Sequence, residues 1–205
     1  MYIPQHYQNE QLDEVRDFLR KNAFGILVNQ HDGRPWATHI PLELEEGGDG
    51  NDYLVGHMAK ANPQWKSFGE ARQVLCIFNG PHSYVSSSWY REEEVPTWDY
   101  IAVHVYGTLS LLDADALYDA LDRLVAKYER GSASPIVLSE LSRKTLRQMR
   151  GVVGFKIRID EIQAAYKLSQ GRPSDHARII RELENTGDPA ALEVARAIQR
   201  HGKRP

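Results

Sequence analysis

Residues 24–45, FGILVNQHDGRPWATHIPLELE, constrain the fold more than any other stretch. Two extended runs flank Asp32–Gly33, a pair suited to the tip of a tight turn, so the segment predicts a β-hairpin. More extended runs follow: YLVGHM at 53–58, QVLCIFNG at 73–80 and IAVHVYGTLSLL at 101–112. In the last, Ile101, Val103 and Val105 alternate with Ala102, His104 and Tyr106, the period of a strand between two environments. VVGFKIRIDEIQAAYKLS, residues 152–169, returns to the same alternation. Strands that follow one another without regular intervening helices exclude a doubly wound parallel sheet. A closed or partly closed antiparallel barrel is the expectation, mainly β with helices at its periphery.

Helical spacing occurs around these runs. EQLDEVRDFLRK, residues 10–21, places Leu12, Val15, Phe18 and Leu19 on one side, with Asn9 as a cap. Asn62–Pro63 reads as a helix start, with Trp65, Phe68 and Ala71 facing inward. Residues 113–130 carry Leu117, Leu121, Leu124, Val125 and Tyr128 at helical intervals, and Gly131 stops them. LSELSRKTLRQMR, residues 138–150, predicts a second helix, and the tail from Ser174 to about Arg200 a helical segment broken at NTGDP. The expected organisation is one barrel domain over 1–172, with helices inserted at 113–150, and a helical tail over 173–205.

Composition narrows the function classes. An apolar fraction of 41% with 26% charged residues supports a packed core and excludes a disordered chain. A net charge of −3 gives no global field for nucleic acid or anionic lipid. The single cysteine, Cys76, lies in the apolar run VLCIF and excludes an internal disulfide or a cysteine zinc site. No segment reads as a secretory signal or a membrane span, so a cytoplasmic protein with no membrane partner is expected.

Four polar–aromatic stretches interrupt otherwise good strands: ATHIP (37–41), GHMAKANP (56–63), GPHSYVSSSWY (80–90) and KLSQGR (167–172). A phosphate seat needs a cation, hydroxyls and free amides. Lys60, the amides after Asn62, and Thr38 or Ser86–Ser88 could supply them. Against this, Asn62 could simply cap a helix while Lys60 faces solvent. Serines among aromatic rings suit a flat heteroaromatic ligand, or else bond local backbone. His39, His57, His82 and His104 lack the i, i+4 spacing of a helical zinc motif, and no metal is expected. There is no G-x-S-x-G elbow, and GVVGF lacks the dinucleotide fingerprint. Arg143, Arg147 and Arg150 fall at i, i+4 and i+7, a helix face that could meet nucleic-acid phosphates or stay solvated.

Taken together, MYIPQHY, FGILV, ATHIP, GHMAKANPQW, IFNGPHSYVSSSWY, VPTWDYIAVHVYG and KLSQGR closely resemble the PaiB-type family of FMN-binding negative transcriptional regulators, in the same order from Met1 to about Arg172. That resemblance implies a split β-barrel of antiparallel Greek-key type, a homodimer holding FMN at the subunit interface, and an Asn–Pro turn that meets the flavin's phosphate. Carried over by position, Ala37, Thr38, His39 and Ile40 would run along the isoalloxazine. His57 and Met58 would edge the site, and Lys60 with Asn62 would face the phosphate. Ser86, Ser88, Trp89 and Tyr90 would flank the ring, and Gln170 and Arg172 would reach in from the last strand. The resemblance assigns no catalytic residue, and DNA stays open as a partner. A flavin-dependent oxidoreductase or flavin reductase is the alternative reading, with a haem-binding protein third.

Overall fold

The computed structural model describes residues 1–69 and 72–202. It contains six strands: β1 (Phe24–His31), β2 (Arg34–Glu46), β3 (Asp52–Ala59), β4 (Arg72–Val85), β5 (Thr97–Leu111) and β6 (Val152–Lys167). They close into a barrel in the order β1-β2-β3-β6-β5-β4. The β1–β2, β1–β4, β2–β3 and β3–β6 pairs are antiparallel. Because β3 pairs with β6 and not with β4, the topology is the Greek-key type expected from the sequence. The hairpin is also as read: His31 pairs with Arg34, and Asp32 and Gly33 both take positive φ, 49° and 75°. That is the two-residue turn whose twist matches the flanking strands.

The chain divides into two compact units. One comprises Met1–Phe18, Phe78–His104 and Gln163–Pro205; the other comprises Leu19–Ile77 and Val105–Ile162. The second unit, the hairpin unit, buries Leu27, Leu42, Leu54, Met58, Phe155 and Ile157. Here Phe68 meets Phe155 edge-on at 5.6 Å. Gly56 is required at this point, since a Cβ would lie 2.9 Å from Phe155 Cζ and 3.0 Å from a Leu42 methyl.

The first unit, the terminal unit, buries Phe78, Val85, Ile101, Val103 and Leu168. It also contains α4 (His176–Asn185) and α5 (Pro189–His201), which bury Ile179, Leu183, Val194 and Ile198. The break between them lies at the expected place: Gly187 takes φ 69°, and Asp188 caps α5 by accepting the Ala190 N–H.

The described residues hold three further α-helices: α1 (Leu12–Lys21), α2 (Ala114–Glu129) and α3 (Arg143–Leu146). Asn9 precedes α1 and accepts the Gln11 N–H at 2.9 Å, and Asp113 caps α2 through the Ala116 N–H. Two helix expectations are corrected. After Asn62–Pro63 there is only a five-residue 3-10 turn, Pro63–Ser67. Ala71, assigned to that helix from its spacing, lies outside the described residues. Residues 138–150 do not form one helix either. A 3-10 turn ends at Glu140, Ser142 caps α3 through Thr145, and a second 3-10 turn begins at Arg147. Serine in mid-segment bonds the backbone locally and restarts the helix there. Among the described residues, no helix is long and apolar enough to cross a membrane.

Candidate functional site

In the hairpin unit, the period of β2 sorts ATHIP by face. Ala37 and His39 are exposed, Thr38 is half-buried and Ile40 is buried. His39 stacks on the exposed ring of Phe24 at 6.3 Å, so the outer face of the hairpin carries a flat aromatic surface. On β3, His57 is half-buried while Met58 is in the core. Ile40 and Met58 therefore offer a ligand little more than backbone and support from below.

Thr38 and Asn62 meet through a residue that sequence reasoning passed over. Gln64 is fully buried. Its amide donates to Asn29 Oδ1 at 2.9 Å and to the Leu27 carbonyl at 3.2 Å, and its carbonyl accepts from the Thr38 hydroxyl. Thr38 accepts in turn from Asn62 Nδ2 at 2.9 Å, and Asn62 Oδ1 accepts the Gln64 N–H at 3.1 Å. The hydroxyl and amide expected to face a phosphate are thus occupied in fastening the 3-10 turn to the hairpin. A glutamine in a polar stretch gives no sign of this role from sequence.

Lys60 differs. Its N–H donates to the Gly151 carbonyl at 2.7 Å and its carbonyl accepts from Trp65 Nε1 at 2.9 Å, while its exposed ammonium makes no ion pair among the described residues. A fixed backbone with an unengaged cation fits an anionic group.

In the terminal unit, Ser86 Oγ accepts the Ser88 N–H at 3.2 Å and contacts Ser88 Oγ at 2.9 Å. Trp89 is half-buried, and Tyr90 is buried beneath the Arg172 guanidinium, 4.3 Å from its ring. Arg172 also pairs with Glu94 at 2.5 Å. Gln170 folds back on its own chain, accepting the Leu168 N–H at 2.8 Å and donating to the Tyr166 carbonyl.

Beside them lies a second missed residue. Asp99 is fully buried; its Oδ2 accepts from Ser169 Oγ at 2.6 Å, and its Oδ1 has no hydrogen bond among the described residues. Lys167 Nζ stands 3.9 Å from Oδ1 and donates to the Trp98 carbonyl at 2.6 Å. Burial raises the Asp99 pKa, opposed by the Ser169 bond and Lys167. Burial likewise lowers that of Lys167 and raises that of Tyr90. Strand parity was the available signal: Asp99 shares the inward register of Ile101, Val103 and Val105. Cys76 is inert by the same physics, since burial pushes its thiol up.

The family described as "Putative FMN-binding domain" matches residues 1–161. The chain belongs to this family. FMN is accordingly its cofactor, as the sequence led us to expect. The chain is also 43% identical over 201 residues to "Protease synthase and sporulation protein PAI 2" of Bacillus subtilis, covering 97% of each chain, which bears out the PaiB-type resemblance. Solved structures share the fold. The FAD and haem binding protein of Mycobacterium smegmatis gives a TM-score of 0.61 at 18% identity, over 78% of this chain and 73% of that one. The flavocytochrome Anf3 of Azotobacter vinelandii gives 0.63 at 14%, over 80% and 72%. The split-barrel expectation is thereby met.

Proposed function

We propose that this member of the FMN-binding family is a cytoplasmic homodimeric regulator of transcription. In this reading the isoalloxazine lies against Ala37 and His39 on β2, and Lys60 neutralises the phosphate. The observation that carries the reading is Lys60: its main chain is held at both ends, its ammonium is unengaged, and it follows the strand that bears His57. A bound flavin supplies redox and light-absorbing chemistry. The protein's part is to fix the ring on a flat surface and to hold the phosphate by charge.

Dimerisation is supported by an exposed aromatic cluster in the terminal unit, where Trp98 lies 6.1 Å from Tyr84 and 6.2 Å from His82, ring to ring. Trp98 is 54% exposed. Aromatic groups of this kind are enriched where protein surfaces meet. The regulatory reading is supported by Arg143, Lys144, Arg147 and Arg150, all exposed around α3.

Lys60→Ala should weaken FMN binding by about 1.5–3 kcal/mol, the worth of a hydrogen bond to a charged group. Unaltered affinity in a fluorescence titration would remove Lys60 as the phosphate partner. Gel shifts with and without FMN test regulation, and a chain that retards no fragment in either state is not a DNA-binding regulator.

A further inference from the structure

The outer face of β2 and β3 does not close against α2. A cavity of about 170 Å³ separates them, floored by Val55 and Leu44 and roofed by Leu117, Ala120, Leu121 and Leu124. Helix α2 has no fully buried residue, although its leucines all point at this space. Its apolar stripe is therefore only partly covered.

The charged groups at the rim satisfy one another. Arg123 grips Glu45 with two bonds, 3.0 Å from Nε and 3.1 Å from Nη2. Both oxygens of Glu43 are taken, one by Lys127 and one by the Tyr128 hydroxyl at 2.8 Å. His57 is the exception among the lining groups. His57 lines the cavity, and its imidazole makes no hydrogen bond among the described residues. Burial also lowers its pKa, so near neutral pH the ring is uncharged and can donate from one nitrogen and accept at the other.

A mostly apolar chamber whose charged lining groups are already paired, and whose one unengaged polar group is neutral, selects against ions. Its volume is that of a cavity which admits a benzene-sized guest. The geometry points to a second ligand site between α2 and the β2–β3 face, taking a small uncharged aromatic molecule with one hydroxyl or ring N–H that bonds to His57. This goes beyond the flavin reading and does not depend on it, because Ala37, His39 and Lys60, on which that reading places the ring and the phosphate, do not line this cavity.

The test is 19F NMR titration of the full chain with 4-fluorophenol and with fluorobenzene, in the presence and absence of saturating FMN. Both probes should bind saturably, with the phenol favoured about tenfold for its extra hydrogen bond. His57→Leu should abolish that preference while keeping fluorobenzene binding. Ala120→Phe should fill the chamber and remove both, with circular dichroism confirming that each variant is folded. Linear, non-saturating responses, or a preference that survives His57→Leu, overturn the inference. Displacement of the phenol by FMN also overturns it, since the chamber would then belong to the flavin's site. Should FMN fail to bind at all, the flavin reading falls while saturable phenol binding upholds the second site.

Discussion

Each unit of the molecule contains one fully buried polar residue around which a network is built, and the two are chemically unlike. In the hairpin unit the hub is Gln64, a neutral amide whose donors and acceptor reach Asn29, Leu27 and Thr38. In the terminal unit it is Asp99, a carboxylate with one oxygen bonded to Ser169 and the other left to a lysine 3.9 Å away. A neutral network costs little beyond its own desolvation when its members are paired. A buried ion must be paired or it is expensive, and the Asp99–Lys167 separation is too long for a hydrogen bond. The Gln64 hub is therefore held without any charge, while the Asp99 hub depends on a charge balance that substitution or pH can upset.

Lys167→Met gives the largest expected effect. It strands Asp99 as an uncompensated buried charge and should cost about 3–5 kcal/mol in urea unfolding. Adding Asp99→Asn should restore most of the loss, because the two charges are coupled. If the single variant unfolds like the parent, the terminal hub is not an ionic one and the contrast fails.

Gln64→Leu comes next. It leaves the Leu27 carbonyl, Asn29 Oδ1 and the Thr38 hydroxyl without their partner, at about 1–3 kcal/mol for the stranded groups. The loss should be independent of pH, since none of these groups titrates near neutrality. A pH-dependent loss would mean that a neighbouring charged group, and not the amide, carries the network.

The pH response of the intact chain sharpens the distinction further. Asp99 has a folded pKa raised above its ordinary 3.8, so its favourable contribution is full below 3.8 and is lost as pH rises through the folded value. His57, in the hairpin unit, has a folded pKa below its ordinary 6.5, so its contribution is present above 6.5 and is lost as pH falls through the folded value. Subtracting Asp99→Asn stabilities from those of the parent should give a difference that declines with rising pH. The same subtraction for His57→Gln should give one that rises. Equal slopes of one sign would show that burial is not what sets these two groups apart.

The sequence exposed the hairpin, the strand alternation and the helix over 113–130, because each is written in local period and turn chemistry. The hubs are written elsewhere. Gln64 becomes a hub only because the hairpin register brings Leu27, Asn29 and Thr38 within its reach, although they lie 37, 35 and 26 positions away along the chain. Ser169 takes φ 57° without being glycine, a conformation its identity does not announce. The flavin motif could be placed along the chain, yet Thr38 and Asn62 turn out to face each other, since a hydroxyl and an amide suit a strut as well as a phosphate. Lys60 was legible by its charge.

The smallest effect provides the control that the contrast needs. Arg123 and Glu45 form a well-aligned bidentate pair, with shorter contacts than Asp99 makes to Lys167, but their side chains are 55% and 35% exposed. Water already solvates both partners, and salt screens what attraction remains. Arg123→Ala should therefore cost only about 0.2–1 kcal/mol, and less in high salt, despite removing two good hydrogen bonds. Should this loss match that of Lys167→Met, contact geometry would matter more than burial, and the difference between the two hubs would have to be explained by bond length instead of by the cost of a hidden charge.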